Sequence, residues 1–124
     1  PDRIVSSPAT RARTTASLAN ESGAWKRTIA HEASLYLASG PTMVEVLRQQ
    51  PADATRTLIV GHEPGCSALI AGLVGGARVR FPTAALARID FEVDAWSSVQ
   101  PDAGALQWLV VPRLLAAYAA ALGG

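Results

Sequence analysis

The sequence predicts a single α/β domain with a largely parallel sheet, and three observations predict it. Short β-branched runs alternate with longer segments of helical period along the whole chain. The strand-like runs pass directly into helix-start signals, as in strand–turn–helix units. At 124 residues, 49% hydrophobic and 17% charged, the chain can bury a core and is not disordered.

Taken in order, Arg3 to Ser6 reads as a strand. Ser7 then reads as a helix N-cap with Pro8 at the first helical position. Ala12, Ala16 and Ala19 share one face of that helix, flanked by Leu18, and Asn20 to Gly23 ends it. Thr28 to Ala30 is a brief second strand. Gly40 to Gln50 is a helix with Met43, Val46 and Leu47 on one face, and Thr42 with Glu45 at capping-box spacing. Pro51 stops it. Thr57 to Val60 is a strand, and a helix from about Pro64 to Val74 ends at Gly75-Gly76. Ala85 to Phe91 alternates as a strand. Asp94 to Gly104 is a loop, Leu106 to Val111 a strand, and Leu114 to Leu122 an Ala-rich closing helix. No internal repeat, low-complexity tract or linker interrupts this order.

Bulk properties narrow the function classes. A net charge of +1 gives no field for nucleic acid, and arginine supplies every basic residue except Lys26. No apolar run reaches the ~18 residues of a membrane span, so no membrane partner is expected. One cysteine, Cys66, can form no internal disulfide and no zinc site, which points to a reduced, cytoplasmic protein. Trp25, Trp96 and Trp108 are widely scattered and read as packing residues, not as a base-stacking platform.

Two strand ends carry matching chemistry. In VSSPATRARTTA, from Val5 to Ala16, Arg11 falls in the first turn of a helix with no acid beside it. A cation there opposes the helix dipole by about 0.3–1 kcal/mol, a conflict that a bound anion would resolve. The other reading is a pair of solvated arginines, Arg11 and Arg13. In TLIVGHEPGCS, from Thr57 to Ser67, the strand feeds a turn that holds His62. Ligands of open α/β sheets bind beyond the carboxyl ends of the strands. If the two strands are parallel, Arg11 and His62 face one crevice. A histidine there donates to a phosphate oxygen or moves a proton. The other reading is a capping or packing histidine. Ser7, Glu32 and His31 are secondary candidates near the same crevice. Glu63 either orients His62 or caps the helix. Cys66 sits where a thiol pKa can fall, but nothing supports a nucleophilic role and it reads as a small buried residue.

These stretches resemble the histidine phosphatase superfamily. SSPATRARTTA is similar to its Ser-Pro segment with a following arginine, and LIVGHEPG to its second-histidine motif, usually Val-Gly-His-Asn-Pro-Gly. LYLASGPTMVEVLRQ, FPTAALARIDFEVDAW and the late VVPR resemble the small, SixA-like phosphohistidine phosphatase branch. The resemblance spans almost the whole chain. It implies a three-layer α/β/α fold with a mostly parallel sheet, like that of phosphoglycerate mutase. It also implies a phosphatase that works through a phosphohistidine, needs no cofactor or metal, and acts on a phosphorylated substrate such as a phosphohistidine protein. By motif match, Arg11 and His62 take phosphate-binding places, and His62 also assists proton transfer.

The departures are specific. The superfamily's nucleophilic histidine follows an arginine at the end of a first strand, and this chain has no Arg-His pair. Residues 1–124 therefore read as one domain lacking its first strand, its nucleophile and a first phosphate-binding arginine. Such a chain would leave strand edges unpaired and an apolar slot open. Glu32 is the nearest match to an acidic proton donor, Leu37 stands where the branch often has Glu, and Glu63 where Asn is usual. The isolated chain is then expected to be inactive. A second reading is a non-catalytic phosphate- or anion-binding regulatory module. A dinucleotide-binding domain is a third, disfavoured because no G-x-G-x-x-G follows a strand.

Overall fold

The computed structural model describes residues 1–123. Its strands are β1 (Arg3–Ser6), β2 (Ile29–His31), β3 (Thr57–Val60), β4 (Leu86–Asp90) and β5 (Ala105–Val110). Its α-helices are α1 (Thr10–Ser22), α2 (Gly40–Arg48), α3 (Gly65–Val74) and α4 (Pro112–Leu122). Short 3-10 turns occupy Ala33–Leu35 and Trp96–Ser98, the second inside the expected loop.

β1 is the centre of a parallel sheet in the order β2-β1-β3. Val5 on β1 packs with Leu35, Met43 and Val46, and Ile59 and Leu69 join them. That face is therefore covered by α2 and α3. Side chains alternate along a strand, so Ile4, fully buried, points the other way, where α1 lies against β1 and β3. Ala12 and Ala16 are buried on α1 as the helical spacing requires, and their small side chains let the helix approach closely. A second cluster of Leu47, Leu73 and Val99 extends the core under α3. Val99 is fully buried, which anchors the Asp94–Gly104 segment.

The α/β class is as the sequence predicts, with local corrections. β4 and β5 form a separate antiparallel pair, with a register shift between Arg88 and Ile89, and do not join the parallel sheet. α1 starts at Thr10, with Ala9 as its N-cap. Ser7 is not the cap, because its N–H donates to Val60 O at 3.0 Å and carries the β1–β3 ladder one residue further. The cap of α2 is Ser39, whose Oγ accepts from Thr42 N–H, while Glu45 pairs with Arg48 at 3.3 Å. The Thr42–Glu45 capping box therefore does not form. α3 ends, as expected, on Gly75 at φ +99, a left-handed conformation open to glycine.

β3 pairs only with β1, and β4 only with β5, among the described residues. A groove of about 620 Å³ lies between them, lined by Thr57 and its approach and by Leu86 to Phe91. Trp25, Trp96 and Trp108, scattered in sequence, all line this groove. Trp96 also packs edge-on against Phe91 and donates to Ala54 O. Thr57, on the same wall, has a buried Oγ1 with no hydrogen-bond partner. α4 buries no residue, and Leu114, Leu115, Tyr118 and Leu122 are exposed.

The amino ends of β1 and β3 are tied by Asp2. Its carboxylate accepts from Arg56 N–H at 3.0 Å, from Thr55 N–H at 3.0 Å and from the Thr55 hydroxyl at 2.8 Å. The Arg56 N–H, then the two Thr55 donors, hold its pKa at about 2 against an ordinary 3.8. A carboxyl depressed on folding stabilises above its unfolded pKa and loses that contribution as pH falls through the folded value. Stability should therefore decline from about pH 4 to about pH 2. Asp2→Asn should flatten that decline, as read by thermal melts across the acid range.

Candidate phosphate site at the carboxyl ends of the strands

Because β1 and β3 run parallel and in register, with Ser6 opposite Val60, the residues just after them emerge at the same end. Ser7 follows β1 and His62 follows β3 by two residues. Their side chains meet: His62 Nε2 lies 2.7 Å from Ser7 Oγ. Ser7 is fully buried, and its Oγ also accepts from Ala9 N–H at 3.3 Å. Ser6, equally buried, donates from Oγ to Ser7 O at 2.9 Å. The Tyr36 ring stands edge-on to the His62 imidazole, with centroids 5.7 Å apart and planes at 83°. Such an aromatic contact contributes about 0.5–1.5 kcal/mol and restricts ring rotation. His62 is thus held on two sides.

Arg11 lies in the first turn of α1, exposed, with no hydrogen bond or ion pair to its guanidinium among the described residues. No acid and no side-chain cap occupies that helix end. The structure brings Ser7 and His62 into contact, and Arg11 follows Ser7 by four residues, at the second position of α1. β2 ends on His31, whose backbone is in register with Ser6, and Glu32 N–H donates to Ser6 O at 2.9 Å. Glu32 is therefore close in backbone to the crevice. Its carboxylate, however, is taken up by Ser34, accepting from the N–H at 3.3 Å and the hydroxyl at 2.8 Å.

Glu63 behaves as a helix cap. Its carboxylate accepts from Ser67 N–H at 2.8 Å and from the Ser67 hydroxyl. The N-terminal end of α3 is thereby neutralised, whereas that of α1 is not. Cys66 is partly buried against Met43 and its neighbours, and that burial, reinforced by the charge of Glu63, pushes its thiol up to about 11. It is a neutral packing residue at pH 7, the reverse of the depressed thiol that its helix-start position allows. Among the described residues no group of three His, Cys, Asp or Glu is placed to hold a metal, and no helix is long and apolar enough to cross a membrane.

Sequence reading missed Tyr36 as a neighbour of His62. The signal was its place after Leu35, whose burial fixes where the next side chain emerges.

No protein-family model and no curated protein matches the chain. Solved structures do. The chain is similar to a protein assigned as phosphohistidine phosphatase SixA from Nakamurella multipartitia, with TM-score 0.74 and 23% identity over 90% of this chain and 70% of that one. It is similar to one so assigned from Agrobacterium tumefaciens, with TM-score 0.72 and 24% identity over 90% and 68%. It is also similar to the protein histidine phosphatase SixA complexed with tungstate, with TM-score 0.70 and 20% identity over 91% and 70%. Across nine-tenths of its length, then, this chain has the α/β fold of the SixA phosphohistidine phosphatases.

Proposed function

We propose that the chain is the phosphate-binding part of a phosphatase of the histidine phosphatase superfamily, acting on a phosphorylated substrate such as a phosphohistidine protein. The observation that carries this reading is the Ser7–His62 contact, made at the carboxyl ends of adjacent parallel strands beside an uncapped helix that bears Arg11. Phosphoryl transfer depends on placing donors and positive charge around three oxygens. Arg11 supplies a planar fork for two of them, α1 supplies the positive helix end, and His62 supplies one directed N–H. His62 also moves a proton during transfer. Neither histidine of the chain follows an arginine, as the superfamily's attacking histidine does: His31 is preceded by Ala30 and His62 by Gly61. The likeness to a SixA that binds tungstate supports an oxyanion site.

Tungstate or inorganic phosphate should bind the chain with millimolar or better affinity, measured by calorimetry. Arg11→Ala should weaken that binding about tenfold or more, the scale of one charge-assisted hydrogen bond. Binding that survives both Arg11→Ala and His62→Ala would overturn the assignment. The lack of an Arg-His pair in the chain favours a second reading, a non-catalytic anion-binding regulatory module. Under it the same residues bind and release a phosphorylated ligand without turnover.

A further inference from the structure

The hydrogen bonds around Ser7 bear on which nitrogen of His62 carries the proton. Ser7 Oγ has two partners among the described residues: Ala9 N–H, a donor, and His62 Nε2 at 2.7 Å. Ser7 is fully buried, so water offers its hydroxyl proton no other acceptor. Suppose Nε2 carried the proton and donated to Ser7. The serine oxygen would then accept twice, and its own O–H would be buried without a partner. Leaving a buried donor unpaired is strongly unfavourable. With Ser7 O–H donating to a bare Nε2, every group is satisfied: Ala9 N–H to Oγ, and O–H to nitrogen. The proton of the neutral ring is then on Nδ1. That nitrogen has no partner among the described residues and is reached by solvent. Tyr36, edge-on at 83°, resists the ring flip that would exchange the two nitrogens.

We infer that Ser7 is a positioning residue that locks neutral His62 in its Nδ1–H tautomer, so that the ring presents an N–H donor outward. The use of that N–H toward a phosphoryl oxygen rests on the phosphate-site reading above; the lock itself does not.

The test is an imidazole nitrogen–proton correlation spectrum of chain labelled with [15N]histidine, at pH 8. Only His31 and His62 contribute, and exposed His31 is the internal reference. His62 should show a pyrrole-type Nδ1 and a pyridine-type Nε2. Ser7→Ala should release it to a mixture rich in Nε2–H, the form free imidazole favours, and weaken tungstate binding roughly tenfold, or one hydrogen bond. Ser7→Thr, which keeps the hydroxyl, should restore the Nδ1–H pattern. An Nε2–H wild-type ring, or an unchanged pattern in folded Ser7→Ala, overturns the inference. The wild-type spectrum decides even if Ser7→Ala fails to fold. A locked ring whose signals do not move with tungstate supports the lock and counts against the phosphate reading alone.

Discussion

Purified chain should hydrolyse p-nitrophenyl phosphate no faster than buffer, with no burst of nitrophenolate. A histidine phosphatase divides its reaction into attack on phosphorus by one histidine and hydrolysis of the phosphohistidine. In the proposed reading, His62 takes the supporting part. Its Nε2 is engaged with Ser7, and its ring is braced by Tyr36. Without an attacking group, an enzyme keeps only what binding and charge neutralisation provide, and the loss is on the order of 10⁴-fold or more. The site should therefore bind an oxyanion and stop there. The measurement is a stopped-flow trace at high chain concentration, with His62→Ala as the control. Hydrolysis that is robust in wild type and lost in His62→Ala would refute the proposed division of labour, because it would make His62 the nucleophile.

The second large effect concerns two glycines on one helix. Gly65 opens α3, and a Cβ there would run into the backbone carbonyl of Ala38 and meet Met43 Sδ at 3.1 Å. A backbone oxygen cannot swing aside as a side-chain tip does. Gly65→Ala should therefore cost about 3 kcal/mol, or roughly 10–15 °C in Tm, despite alanine's better helix propensity. It should also disturb the site, because Cys66 N–H donates to His62 O at 3.0 Å and ties the start of α3 to the histidine. Gly72, seven residues on, has nothing within 4 Å of where a Cβ would stand. Gly72→Ala should stabilise by about 0.5–1 kcal/mol through lost unfolded-state freedom. Calorimetric melts of the two variants check both signs. Equal effects would mean that the Ala38–Gly65 approach does not govern the packing of α2 on α3.

How far the sequence could be read follows from which interactions are local. The α/β order, the buried faces of α1 and α2 and the glycine stop of α3 all depend on residues within a few positions of one another. Periodicity and capping chemistry report such features directly. Ser7 shows the limit. Before a proline it looks like a cap, and only the register of β1 against β3, fifty residues apart, commits its N–H to Val60 and its hydroxyl to His62. The antiparallel β4–β5 pair shows the same limit. Alternation identifies a strand without naming its neighbour, so nothing local says that these two stand apart from the parallel sheet. Glu32 and Glu63 were legible as polar groups near strand ends. The serines that occupy their carboxylates lie only two and four residues on, within local side-chain reach. The three tryptophans converge on one groove through tertiary packing alone.

The same groove makes concentration a structural variable. Among the described residues, the outer edges of β3 and β4 have no strand partner, and the groove beside them carries three indole rings and the unpaired Thr57 Oγ1. A template of that kind is indifferent to the identity of the chain that fills it, because main-chain hydrogen bonds ask only for an extended backbone. By mass action, whatever strand is most abundant nearby occupies it and is coupled to the stability of the fold. In dilute solution that strand is scarce and the edges stay wet. In a crowded one it is the next copy of the same molecule.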